Sequence, residues 1–167
     1  NAPMLGPENQ SVISPMIPVA ELIGKLAIGL SEGQFRSVGL IYEGEISEYE
    51  TSVLKSAFLS GFIQGTTNEQ VNAINAPLIA SARGLEVSEQ KQRIEGEYSS
   101  LITAVLNTSQ GQLVLSGTSS RDEVHLVRFN EYWLDIVLTG PYLLFVDNDV
   151  RPGSIGAVGT VAGRHNV

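Results

Sequence analysis

Four groups of side chains in this sequence could carry chemistry: two histidines, a run of carboxylates, a set of arginines and a glycine-rich turn. His125 and His165 are the only histidines. A triad needs a nucleophile and an orienting acid around one of them. His125 falls in a strand pattern beside Arg128 with no such local signature. His165 falls at a helix C-terminus, where a cation is favoured anyway. A structural or solvated role is the better reading of both, and their separation gives no zinc motif. Glu43, Glu45, Glu48 and Glu50 form an acidic run. It lacks the spacing of a calcium-binding loop and reads as a solvated strand end and helix start. Asp147 and Asp149 look more like metal ligands, yet they also suit a turn before a helix.

Gly153-Ser154-Ile155-Gly156-Ala157-Val158-Gly159 lies at a strand-to-helix turn. Small residues there let backbone N–H groups point at an anion. No Lys-Ser/Thr pair follows, and the glycines fall three apart, at helix positions. That spacing fits a helix lying close against a sheet better than a phosphate loop; a small carboxylate at the helix start is the alternative. Arg83, Arg93, Arg121 and Arg128 could converge on phosphate or carboxylate, because the guanidinium fork binds both bidentately. They could equally salt-bridge an excess of acids, and the sequence leaves both readings open.

The elements that must position these groups follow from pattern. The chain has 167 residues, a net charge of −8 and no cysteine. Such a length suits about one domain, or one and part of another, and buries enough surface to need no disulfide or metal staple. The acidic balance argues against nucleic acid as a partner. The missing cysteines exclude thiol catalysis and thiolate zinc sites, and they fit a cytoplasmic origin. No apolar run is expected to reach the ~18 residues that span a bilayer. The start, Asn1-Ala2-Pro3-Met4, lacks the marks of a signal peptide and suggests a piece cut from something longer.

The prolines of residues 1–18 suit a linker or short broken helices. A helix is expected from Val19 to Leu30, a strand from Phe35 to Glu43, and a second helix over Val53–Phe62. A third helix over Val71–Ala82 would be kinked at Pro77. Leu85–Ser88 alternates as a strand, followed by a polar stretch to Glu97. Two hairpins follow: 100–107 with 112–119, and 124–129 with 132–136, the latter turning at Asn130, which tolerates a left-handed conformation. A boundary falls near Thr139-Gly140-Pro141. Tyr142–Val146 is apolar throughout and suggests a central strand. Pro152 suits the first position of a helix whose buried stripe would be Ile155, Val158 and Val161. The fold class is therefore α+β, with helices packed on one face of a mainly antiparallel sheet, followed by an incomplete β-α unit.

Three stretches together resemble a known family. Residues 71–85 (VNAINAPLIASARGL), and His125–Asn130 with its partner Tyr132–Ile136, resemble the intervening domain of long-form D-3-phosphoglycerate dehydrogenases. Arg151–Gly159 is similar to the opening of the ferredoxin-like ACT regulatory domain of those enzymes, and Asn1–Met4 to the exit from their nucleotide-binding domain. The resemblance implies residues 1–140 as an allosteric substrate-binding domain and 141–167 as the truncated start of an ACT domain. It implies a parent enzyme that oxidises 3-phosphoglycerate with NAD in serine biosynthesis. The catalytic residues and the NAD fingerprint would lie upstream, so this piece would be non-catalytic and hold no cofactor or metal itself. It implies a homo-oligomer, with L-serine or a phosphorylated acid as effector and neither nucleic acid nor membrane as partner. Effector contacts would come from Asn148, Asp149, Pro152 and Gly153, and anion contacts from Arg83, Arg93 and Arg128. One extra residue in Asp149–Gly153 departs from the family pattern. So does Val137, which stands where some members carry a basic residue. A free-standing small-molecule-binding or scaffold domain is an alternative, as is a domain related to L-serine dehydratase.

Overall fold

The computed structural model describes residues 7–64, 75–76, 85–93, 96–139, 143–146 and 152–165. Helix α1 (Pro7–Ile13) begins on a proline, whose missing N–H costs nothing at a helix start. The chain breaks at Ser14-Pro15 and continues as α2 (Met16–Leu30). Strand β1 (Phe35–Gly44), a 3-10 turn (Glu45–Glu48) and α3 (Ser52–Gln64) follow. Then come β2 (Glu86–Gln92), β3 (Ser100–Thr108), β4 (Gln112–Ser120), β5 (Glu123–Phe129), β6 (Tyr132–Val137) and α4 (Ser154–Arg164). The expected third helix lies outside the described residues, except for Asn75 and the buried Ala76.

The six strands form one sheet in the order β2-β1-β3-β4-β5-β6. Only β1 and β2 pair in parallel, with Ser37 opposite Glu86 and Glu43 opposite Gln92. The fold is thus α+β with a mainly antiparallel sheet, as the hairpin signals indicate. Asn130 takes φ 52° in its turn, and its side chain accepts from the Val114 amide at 2.9 Å. β2 outruns the expected Leu85–Ser88 because it is an edge strand. Exposed on both faces over much of its length, it can be built from Glu89, Gln90 and Lys91 without an apolar alternation.

One face of the sheet carries the core. Val38, Leu40 and Tyr42 of β1 lie beside Leu106, Ala104 and Ile102 of β3, and Leu113, Leu115 and Leu126 continue the layer. Val19, Ala20, Ile23 and Ala27 of α2 close over it. Helices α2 and α3 cross at two glycines. A Cβ at Gly24 would run into the carbonyl oxygen of Phe58, and one at Gly61 into that of Glu21. One turn apart on α3, Phe58 and Phe62 stack at 5.8 Å, and Phe62 meets Phe35 of β1 edge-on at 4.8 Å.

Three expectations need correction. Gln10–Leu30 is, by length and composition, apolar enough to cross a membrane. Its apolar character serves the core, since Ile13, Met16, Val19, Ala20, Ile23 and Ala27 are buried in the sheet–helix layer. Residues 143–146 form no strand, because no strand among the described residues offers them a ladder partner. The stripe Ile155, Val158 and Val161 does lie on a helix, but Ile155 is 89% exposed, and no residue of α4 is buried. Among the described residues, Leu144 and Val146 of the short segment 143–146 line a hollow with Val158 and Val161 of that helix. That segment is anchored to the sheet by Phe145, whose ring stacks on Phe129 at 5.0 Å.

Candidate functional site

The second face of the sheet has no helix on it among the described residues, and polar groups gather there. Strand alternation aligns Thr103 of β3, Ser116 of β4, Arg128 of β5 and Trp133 of β6 in one cross-strand row. The parity of β5 would put Leu126 and Arg128 on the same side. An irregularity between them, at Val127, sends Leu126 to the core and Arg128 to the open face.

Thr103 and Ser116 are buried, and their hydroxyl oxygens lie 2.8 Å apart. Thr103 Oγ1 also donates to Glu43 Oε2 at 3.2 Å. A hydroxyl has one hydrogen, so Ser116 must be the donor to Thr103. The chain Ser116, Thr103, Glu43 thus runs from mid-sheet to its end. There a hollow of about 360 Å³ opens between Glu43, Gly96, Glu97, Tyr98, Leu101 and Trp133. A second hollow of about 260 Å³ adjoins it, sharing Glu97 and Tyr98 and reaching Thr118, Ser119, Ser120, His125 and Asp135. Burial first, and then the charges of Glu97 and Asp135, push the Tyr98 phenol up from its ordinary value.

His125 Nδ1 sits 2.6 Å from Asp135 Oδ1, an orienting pair of the kind that a general base needs. Its Nε2 is buried and has no hydrogen-bond partner among the described residues. No serine hydroxyl therefore stands within reach of it, although Ser119 and Ser120 line the same hollow. The geometry holds a histidine rigidly and lacks a nucleophile beside it. Among the described residues there is also no group of three acidic or histidine side chains that could hold a metal.

The arginines go elsewhere than the sequence suggests. Arg93 follows β2 and pairs with Glu48 at 3.0 Å in full solvent. Arg128 donates from Nε to the Asn130 carbonyl at 2.7 Å and stands over the Trp133 ring, 5.3 Å from its centroid. Strands β1, β3 and β4 separate β2 from β5, a distance of about 19 Å at the usual strand spacing. The two arginines do not converge, because β1 enters between β2 and the hairpins. Arg83, Asn148 and Asp149 lie outside the described residues. Gly153 precedes α4 at φ 93°, and its carbonyl accepts from the Ala157 amide at 2.9 Å. Pro152 lies two positions before the first helical residue instead of at it. The acidic run is divided: Glu43 enters the hollow, Glu48 meets Arg93, and Glu50 accepts from the Ser52 amide at 3.1 Å to cap α3.

A family model described as the D-3-phosphoglycerate dehydrogenase intervening domain matches residues 12–130, from the end of α1 to the turn after β5. The chain belongs to that family. Curated relatives align over its whole length. A D-3-phosphoglycerate dehydrogenase of Archaeoglobus fulgidus is 28% identical, with 32% of its own length covered. D-3-phosphoglycerate dehydrogenase 2, chloroplastic, of Arabidopsis thaliana is 30% identical with 29% covered, and the Bacillus subtilis enzyme is 27% identical with 32% covered. The chain thus spans about a third of the length of the relatives it matches. The intervening-domain match takes in the β3–β4 hairpin, strand β5 and all of the open-face row except Trp133.

Proposed function

We propose that this chain is the regulatory and oligomerisation region of an NAD-dependent D-3-phosphoglycerate dehydrogenase of serine biosynthesis. The observation that carries this is the whole-chain alignment to dehydrogenases of about three times its length. On this reading the reaction is done elsewhere in the parent, by a nucleotide-binding unit that also holds NAD. Residues 1–140 are the intervening domain, and 141–167 open an ACT domain. The exposed apolar patch of Leu144, Val146, Val158 and Val161 supports that division, because a complete ACT domain would cover it.

L-serine is the effector proposed for the complete ACT domain, with its carboxylate at the helix start near Gly153 and Ser154. Asn148 or Asp149 would take its ammonium. A phosphorylated acid is the effector proposed for the intervening domain. With Arg93 and Arg128 far apart, each would act singly.

The experiment is to express the complete gene product with and without this region. The complete product should reduce NAD with 3-phosphoglycerate and respond to L-serine, and its truncated form should lose the response. The 167-residue chain alone should form no NADH. Turnover by the isolated chain, or none by the complete product, overturns the proposal.

A further inference from the structure

We propose that the hollow between Tyr98 and Trp133 on the open sheet face is a binding site for a small organic cation, an amine or quaternary ammonium. Its volume of about 360 Å³ falls within the size of small-molecule sites. Two carboxylates, Glu43 and Glu97, reach it from different elements, one at the end of β1 and one in the loop between β2 and β3. Among the described residues neither side chain forms an ion pair: the Glu43 carboxylate accepts from the neutral Thr103 hydroxyl, and the Glu97 carboxylate has no bond to a described residue. An anionic ligand would meet uncompensated like charge at this place. The raised Tyr98 phenol, held up in part by Glu97 and Asp135, reports the same negative field from a side chain of the wall.

The remaining wall favours an organic cation over a hydrated metal ion. Leu101, Tyr98 and Trp133 are apolar or aromatic, and the described lining falls short of the six or more oxygens calcium takes. Aromatic faces attract cations through the ring quadrupole, and the indole is the strongest of them. Trp133 already takes one: the Arg128 guanidinium stands 5.3 Å over its ring. An indole has two faces, and Trp133 remains 60% exposed, so further ring surface stays free. The Ser116–Thr103 hydroxyl chain fixes Glu43 from behind without neutralising it.

Trp133 is the sole tryptophan of the chain, so its fluorescence reads the site directly. The full chain is titrated with tetramethylammonium chloride, with sodium chloride at equal ionic strength as control. A saturable change in Trp133 emission is expected with tetramethylammonium and not with sodium. Glu97→Gln, on an exposed loop, should weaken binding about fivefold or more, and Tyr98→Ala similarly, by loss of one charge or one ring. Far-ultraviolet circular dichroism identifies any variant that fails to fold, in which case Glu43→Gln takes its place. A linear response, an equal response to sodium, or unchanged affinity in the folded variants overturns the site.

Discussion

Gly24 of α2 lies directly against the main-chain carbonyl of Phe58 on α3, and no side chain fits between them. A methyl group there cannot be relieved by a rotamer change, because the obstacle is backbone. Alanine improves intrinsic helix propensity by up to about 1 kcal/mol, while forcing two packed helices apart costs about 1–3 kcal/mol or more. The clash wins. Gly24→Ala and Gly61→Ala should each destabilise the fold and lower the melting temperature by several degrees. Gly29, on the same helix with open space around it, is the control: Gly29→Ala should be neutral or stabilising by up to about 1 kcal/mol.

The turn between β4 and β5 is made by Arg121 and Asp122 at φ 52° and 63°. Both central residues of this two-residue hairpin are left-handed, a geometry that suits glycine and asparagine. An ordinary side chain there costs about 1–2 kcal/mol, and glycine adds back some unfolded-state entropy. Arg121→Gly should therefore stabilise by about 0.5–1 kcal/mol in urea denaturation. A lower midpoint would mean that the Arg121 side chain contributes something beyond its backbone conformation.

Tyr42 is fully buried in β1 and donates to Glu89 of β2 at 3.2 Å, while Lys55 of α3 holds the other Glu89 oxygen at 2.8 Å. Burial, and then the Glu89 charge, raise the phenol far above its ordinary value. The folded state keeps that proton after the unfolded chain has lost it. The stabilisation is complete below about pH 10, the unfolded value, and is lost as pH rises through and beyond it. Tyr42→Phe should remove one hydrogen bond to a charged group, about 1.5–3 kcal/mol at neutral pH. It should also flatten the fall of stability above pH 10. A variant that declines as steeply as the parent chain would place the alkaline sensitivity elsewhere.

Phe145 holds residues 143–146 to the sheet through its stack on Phe129. Phe145 packs on the rim of the buried layer, so Phe145→Ala removes that anchor while leaving the fully buried residues in place. Limited proteolysis should then cut within residues 139–153 several times faster, while the urea midpoint of the main fold stays nearly constant. Loss of the main fold in the same variant would show that the C-terminal segment is part of its core.

The hairpins were readable because their strands alternate and their turns carry Gly111 and Asn130. The helices α2 and α3 were readable because Ile23, Ala27, Leu54 and Phe58 recur at helical spacing. β2 beyond Ser88 was not, since Glu89 and Lys91 look like loop until Tyr42 and Tyr49 are seen to need them. The open-face site was hidden for two reasons. Its walls come from β1, a loop, β3 and β6, up to 90 positions apart (Glu43 to Trp133), and the irregularity at Val127 reverses the parity by which a strand is read. The one local signal was Thr103, a hydroxyl set in the apolar run from Leu101 to Leu106 of β3. The arginines looked like a cluster because several lie in or beside the hairpin region, and strand order undid that for Arg93 and Arg128.

β1 sits between two strands that both come later in the chain. Gly44 pairs with Ser100, 56 positions on, and at about 5–20 residues per second that interval lasts about 3–11 s during synthesis. Until β2 is made, the nascent chain carries Val38, Leu40 and Tyr42 on a strand with both backbone edges open, and the β3 edge stays open for the whole interval. Helix α2 is already out of the ribosome when β1 emerges and α3 follows directly, whereas both ladder partners come later. The order of translation thus makes β1 the segment of this protein most exposed to wrong pairing before its sheet exists.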